Sequence, residues 1–200
     1  MRNGTDSLTA SPVPVLWKRP FAILLLLVGA TIAQAQERLA PFVTTPLDVV
    51  ERMLRLAGVG RNDVVYDLGC GDGRVVIMAA QKFGARGVGI DIDPALVTQA
   101  TAAAAAAGVA GRVTFRVQDA LTVDLHEATV VTLYLLAASN AKLRPTLMRD
   151  LRPGARIVSH NFPIGDWEPD VVDNFTDAEG AKRTLYLWKI GNSQIPIPKP

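Results

Sequence analysis

The sequence predicts an α/β chain: a mainly parallel sheet covered by helices on both faces. Helix-like and strand-like periods alternate from residue 41 onward, and the first strand runs straight into a glycine-rich turn. With 49% hydrophobic residues in 200, the chain has material for a sizeable core. Thr45-Pro46-Leu47-Asp48 reads as a helix start, with a hydroxyl N-cap, proline at the first helical position and a carboxylate three residues after the cap. Leu47, Val50, Leu54 and Ala57 then share one face, and Gly58 stops the helix. Past the polar turn Arg61-Asn62-Asp63 comes a short strand, Val64-Val65-Tyr66, leading into Asp67-Leu68-Gly69-Cys70-Gly71-Asp72-Gly73. A second helix buries Val75, Val76, Ala79 and Phe83. Residues 86–91 form a second strand, and Asp93-Pro94 starts a third helix. That helix holds six consecutive alanines, 102–107, which favour helix and close packing on a solvent side. Strand signals recur at 113–117, 129–136, 155–159 and 184–190; a helix starts near Pro145 and stops before Pro153-Gly154.

Composition excludes several classes. The chain is neither poor in apolar residues nor heavily charged, so it is not disordered throughout. It has no glycine period, no long charged heptad run and a single cysteine, which excludes collagen, coiled coil and a disulfide framework. The net charge of +2 originates at the N-terminus, where residues 1–35 hold Arg2, Lys18 and Arg19 against Asp6 alone. The body is neutral, so electrostatic capture of nucleic acid is not expected.

Residues 21–33 are apolar except for Thr31, and Lys18-Arg19-Pro20 precede them. Thirteen residues as a helix span roughly 20 Å, short of the ~30 Å hydrocarbon core. With the ending Ala33-Gln34-Ala35, the segment reads as a secretory signal peptide over residues 1–35, cleaved to leave Gln36. The alternative is an uncleaved, slightly short anchor; either way the basic flank predicts export, to the periplasm or the outer side of the inner membrane. The 17 residues before Lys18 are long for such a flank, so a downstream start codon is a further alternative, and a misread leader would leave the protein cytoplasmic. Residues 36–193 form one domain, and the proline-rich residues 194–200 read as an extended surface strap.

In an open α/β sheet, ligands bind outside the carboxyl ends of the strands. Glycines at 69, 71 and 73 suit a turn pressed against a ligand, and the following helix N-terminus favours an anionic group. The spacing is Gly-x-Gly-x-Gly rather than the dinucleotide Gly-x-Gly-x-x-Gly, and Asp67 precedes it. An anion there is poorly placed beside pyrophosphate and well placed beside a cationic ligand. Asp91 ends the second strand, where this fold class presents a carboxylate to ribose hydroxyls. Asp119 ends the third strand, alternatively as a helix cap or solvated loop acid. Three acids at three successive strand ends point to one crevice.

These residues resemble the class I S-adenosylmethionine-dependent methyltransferases. Residues 67–73 match the first motif of that family, Gly-Ile-Asp-Ile-Asp at 89–93 the second, and Asp119-Ala120 the third. The resemblance implies a Rossmann-like domain of about seven strands with the last antiparallel, and S-adenosyl-L-methionine as cofactor. It also implies that Asp67, Gly69 and Gly71 hold the methionine part, Asp91 with Ile92 the ribose, and Asp119 with Ala120 the adenine. Thr45 is a further cofactor candidate, although capping also explains it. Pro41-Phe42-Val43-Thr44-Thr45-Pro46, Thr132-Leu133-Tyr134-Leu135-Leu136 and Ser159-His160-Asn161-Phe162 with Asp166-Trp167 resemble one branch. Its bacterial members are similar to mitochondrial lysine methyltransferases that modify part of the ATP synthase and the adenine nucleotide carrier. The branch often has Pro where this chain has Ala137.

The resemblance implies N-methylation of a protein lysine, with a small-molecule acceptor as an alternative. A lysine must first lose a proton, since its ordinary pKa is about 10.4, and an apolar pocket favours that neutral form. Tyr134, at the end of the fourth strand, is the candidate catalytic residue lining this pocket; the alternative is an ordinary strand aromatic in the core. His160 reads as a structural residue rather than a base, and Cys70 as backbone packing. Trp167 and Trp188 read as cover and core. With His126 and His160 the only histidines, no metal cluster is readable. An exported leader conflicts with a cytosolic cofactor, which leaves a non-catalytic nucleoside-binding module as the rival. A nicotinamide-dependent reductase is disfavoured because the third glycine comes one residue early.

Overall fold

Parallel strands buried on both faces need continuous apolar runs, and the central strands of this protein have them. The computed structural model describes residue 39 and residues 43–191, all within the unit Ala35–Pro200. Helix α1 spans Leu47–Leu56, strand β1 Val64–Leu68, α2 Arg74–Phe83, β2 Arg86–Asp91, α3 Pro94–Ala106 and β3 Val113–Val117. Then follow β4 Val130–Leu133, α4 Ala137–Asp150, β5 Arg156–His160, β6 Val171–Thr176 and β7 Lys182–Lys189. Every residue of β1 and β4 is buried. The expected leader, Pro41-Phe42 and the 194–200 strap lie outside the described residues.

The seven strands order as β3-β2-β1-β4-β5-β7-β6. β1 to β5 run parallel, and β7 is antiparallel to both β5 and β6. The chain moves outward from β1 to β3 and then returns to β4 on β1's other side, so the crossovers reverse between β1 and β4. Such a switch point leaves a crevice at the carboxyl ends of the strands. Alternation along β1 divides the core. Val64, Tyr66 and Leu68 join one apolar cluster with Leu143 and Leu147 of α4. Val65 joins the other, with α1, α2 and Ala104 of α3. Asp67 falls on the Val65 side by the same parity.

The structure corrects several local expectations. The N-cap of α1 is Pro46, not Thr45, and it makes no side-chain cap bond. Thr45 Oγ1 instead lies 3.4 Å from His160 Nδ1, and the Asp48 carboxylate accepts from Ala178 N at 2.7 Å. Both side chains find partners distant in sequence, and the local cap gives way. Leu47 is exposed, and the buried face of α1 is Val49, Val50, Met53 and Leu54. Helix α4 begins at Ala137 and carries Pro145 in its interior. The missing amide is tolerated there because Asn140, Leu143 and Leu147 are fully buried against the sheet. The strand expected over 129–136 therefore ends at Leu133, and Tyr134 lies beyond it. Strand β6 carried no sequence signal: it is an edge strand with Asp173-Asn174 at its centre and little burial. The third helix follows expectation: the Asp93 side chain accepts from Ala95 N, Pro94 occupies the first turn, and only Ala100 and Ala104 are buried.

Gly89 of β2 leaves room for the Phe115 ring of the neighbouring β3 and for Cys70 of the glycine-rich turn. A Cβ there would stand 2.5 Å from the Phe115 ring and 2.8 Å from Cys70 Sγ. Gly89→Ala is therefore expected to destabilise the fold by roughly 1–3 kcal/mol through overpacking. Urea denaturation measures this, and an unchanged midpoint would refute the close packing.

Candidate active site

The glycine loop after β1 adopts its shape because three of its residues have positive φ, at 83° for Gly69, 52° for Gly71 and 79° for Gly73. Gly69 and Cys70 both donate from their backbone N to Ile90 O, at 2.8 and 2.9 Å. The Asp91 carboxylate adds a second brace, accepting from Gly71 N at 2.9 Å and from Asp93 N at 3.0 Å. The loop of β1 is thus clamped to the end of β2. On its outer side Asp72 pairs with Arg74 at 2.5 Å, and Arg74 Nη1 donates to Thr45 O at 2.8 Å.

The loop opens onto a cleft of about 940 Å³, measured with its open mouth. Thr45, Asp67, Gly69, Gly71, Asp91, Ile92, Asp119, Ala120 and Tyr134 all line it. Every site residue read from the sequence is therefore brought to one place, from five segments of the chain. Asp119 is a loop acid, its Oδ1 accepting from Leu121 N at 2.9 Å, and it also lines the cleft. Sequence reasoning missed Leu39, Met53, Arg74 and Gln118 as lining residues. Arg74 directly follows Gly73, and Gln118 directly precedes Asp119, so adjacency to the motifs was the available signal.

Asp67 is the unusual group. It is 5% exposed, and its Oδ1 accepts from Thr132 Oγ1 at 2.6 Å. Burial pushes its carboxyl up to about 7; the nearby charges of Asp91 and Asp72 push the same way, while the Thr132 bond opposes. A carboxyl poised in this way gains most from a cation placed beside it. At the far wall, Tyr134 stacks on His160 with ring centroids 4.1 Å apart, and on Phe162 at 6.3 Å. His160 is fully buried, and its pKa is pushed down to about 4 by burial, with Arg183 adding to the effect. The Cys70 thiol is pushed well up by burial and by Asp67, which makes it unreactive packing as expected. Trp167 and Trp188 are buried at a ring separation of 6.0 Å, and Trp188 Nε1 donates to Trp167 O.

A cationic nucleoside ligand fits these residues. The glycine loop is a cradle that side chains would block, since a Cβ on Gly69 would meet Leu135 at 2.8 Å. Away from the cleft, the structure gathers Asp124, His126 and Asp150, which the sequence alone did not associate. Their atoms are engaged with one another and with Arg149: His126 Nδ1 meets Asp124 at 2.5 Å, and Arg149 meets Asp150 at 2.6 Å.

The family model of the ANTKMT methyltransferase domain matches residues 67–171, from the buried aspartate of β1 to the start of β6. The chain belongs to this family. It is a class I S-adenosylmethionine-dependent methyltransferase, and its fold is the Rossmann-like one that the motifs implied. A protein-lysine N-methyltransferase of Saccharolobus islandicus (strain REY15A) is 44% identical over 152 residues, covering 76% of this chain and 94% of that relative. A lysine N-methyltransferase of Homo sapiens, named for the ATP synthase component it modifies, is 32% identical over 158 residues. That match covers 73% of this methyltransferase and 67% of the human protein. A solved structure, described as an RNA methyltransferase from Salinibacter ruber in complex with S-adenosyl-L-homocysteine, superposes with a TM-score of 0.71 at 53% identity. It covers 79% of this chain and 98% of that one.

The electrostatics can be tested without ligand. Carboxyl ¹³C NMR should place the Asp67 midpoint near 7. Asp91→Asn should lower it by removing a like charge. A midpoint near the ordinary 3.9 of aspartate would contradict the burial argument.

Proposed function

We propose that this methyltransferase N-methylates a lysine side chain of a protein. The observation that carries the reading is the naming of the relatives at 44% and 32% identity as lysine N-methyltransferases. The cleft supports it chemically. When bound, S-adenosylmethionine supplies an already activated sulfonium methyl, so that a lone pair held in line is all the reaction asks of the acceptor.

Asp67 and the backbone of Gly69 and Gly71 hold the amino-acid part of the cofactor, the buried carboxylate answering its ammonium. Asp91 and Ile92 hold the ribose, and Asp119 and Ala120 the adenine. Thr45 closes the cleft from the α1 side. Tyr134 lines the acceptor end with Leu133 and Leu135, and the rings of His160 and Phe162 stack against it from outside the cleft. Such surroundings favour a neutral amine over an ammonium, and exclude water from the lone pair.

The description of the Salinibacter structure favours a second reading, with RNA as acceptor. Tritiated S-adenosylmethionine incubated with cell extract separates the two. The lysine reading expects protease-sensitive label that is recovered as N-methyllysine after acid hydrolysis. Label confined to an RNase-sensitive fraction or to small molecules would overturn it. The basic flank and short apolar run of residues 1–35 support their cleavage as an export signal, with a mature N-terminus at Gln36 in fractionated cells as the expected result. Among the described residues, no helix is long and apolar enough to cross a membrane.

Two binding measurements follow from the assigned roles. Asp91→Ala should lower cofactor affinity at least tenfold by calorimetry, since losing a charged hydrogen-bond acceptor costs about 1.5–3 kcal/mol. It also removes the brace on Gly71, so a circular dichroism melt should accompany it. Affinity for S-adenosylmethionine should fall as pH drops below about 7, because the Asp67 carboxyl then takes up a proton and loses the charge that answers the ammonium. Asp67→Asn should flatten that profile between pH 5 and 7. An unchanged slope would remove Asp67 from the ammonium site.

A further inference from the structure

The short link between β4 and α4 sets the acceptor end of the cleft. The β4 ladder ends at Leu133 and α4 is capped at Leu136, so Tyr134 and Leu135 have strand geometry on one side only. Leu135 rests on the glycine loop, with its Cδ2 2.8 Å from where a Gly69 Cβ would be. Tyr134 is steadied by rings. Its own lies against His160 at 4.1 Å and 28°, and against Phe162 at 6.3 Å and 26°.

His160 is well suited to hold a neighbour still. It is the last residue of β5, has no exposed surface, and pairs with Leu185 of β7 in the sheet. Its Nδ1 meets Thr45 Oγ1 at 3.4 Å, while its Nε2 is buried without a hydrogen-bond partner. Polar contacts thus hold only one edge of the imidazole, and its faces are available for stacking. Through Thr45 the same residue touches the opposite wall, since Thr45 O is held by Arg74, which pairs with Asp72 of the glycine loop.

We propose that His160 is a positioning residue for methyl transfer, acting through a face-to-face stack that fixes the Tyr134 ring at the acceptor end of the cleft. His160 does not line the cleft and touches neither acceptor nor cofactor; its effect passes through Tyr134. The inference rests on the placement of Tyr134 at the acceptor end, and is independent of whether that acceptor is lysine. Stacked rings contribute through geometry as well as burial. An aliphatic side chain of similar volume would fill the space without supplying the face.

The test uses the full chain with His160→Leu, His160→Phe and Tyr134→Ala, measuring rates on whichever extract fraction the wild type labels. A nucleic-acid fraction would sink the lysine reading and leave this one intact. His160→Leu should lower kcat at least tenfold, while the calorimetric Kd for S-adenosylhomocysteine stays within threefold. His160→Phe, which keeps an aromatic face, should retain at least a third of kcat. In the Tyr134→Ala background, His160→Leu should cost less than a further twofold, because the ring it positions is gone. In the ligand-free protein, the His160 ring protons should resonate upfield of their positions in Tyr134→Ala, with the exposed His126 as internal reference. Equal losses in the Phe and Leu variants, multiplicative losses in the double variant, or no ring-proton difference would each overturn the proposal. Should His160→Leu fail to fold, the Phe variant and the ring-proton shift still decide it.

Discussion

One carboxylate holds the ends of two strands in register with the loop between them and the cleft. Asp91 accepts from Gly71 N and from Asp93 N, joining the glycine loop of β1 to the turn that starts α3. The loop's other bonds to β2 run to Ile90 O, from Gly69 N and Cys70 N. The loop also depends on backbone that side chains would spoil: Gly69 and Gly73 combine positive φ with a neighbour less than 3 Å from where a Cβ would stand. A positively charged nucleoside is therefore met by a preset surface rather than one that must form around it, which lowers the ordering cost of binding.

Electrostatics give that surface its selectivity. Asp67 is buried beside two further acids, and its charge is suppressed until something positive arrives. A neutral or anionic nucleotide would leave the strain among the three carboxylates unrelieved. A ligand carrying ammonium and sulfonium groups relieves it. The same low-dielectric wall that raises Asp67 continues into the rings of Tyr134, His160 and Phe162, where burial also keeps the imidazole neutral. Removal from water thus acts on an acid at one end of the cleft and on the imidazole behind Tyr134 at the other.

Much of this was legible in the sequence for a simple reason. Buried parallel strands must be apolar runs, and a ligand crevice must lie at their carboxyl ends, so Val64–Leu68 followed by glycines locates its own function. The residues assigned to the cofactor, Thr45 apart, sit at those ends, and all of them line the cleft. The failures have equally physical causes. Thr45 and Asp48 form a good local capping pattern, but each bonds to a residue more than a hundred positions away. Pro145 looked like a helix start because its cost inside a helix is usually prohibitive, and only burial of α4 against the sheet offsets that. Strand β6 lacks apolar alternation because it lies at the sheet edge, where β7 alone demands pairing.

The sequence by itself determined the order of the elements (β6 apart), the glycine loop and the three acids, because each follows from local chemistry or from periodicity along a few residues. Only the tertiary structure decided how tightly Asp67 holds its proton, which partner Thr45 takes, and that His160 lies behind Tyr134. Those properties depend on burial and on contacts between segments up to 115 residues apart, which no short window of the chain contains.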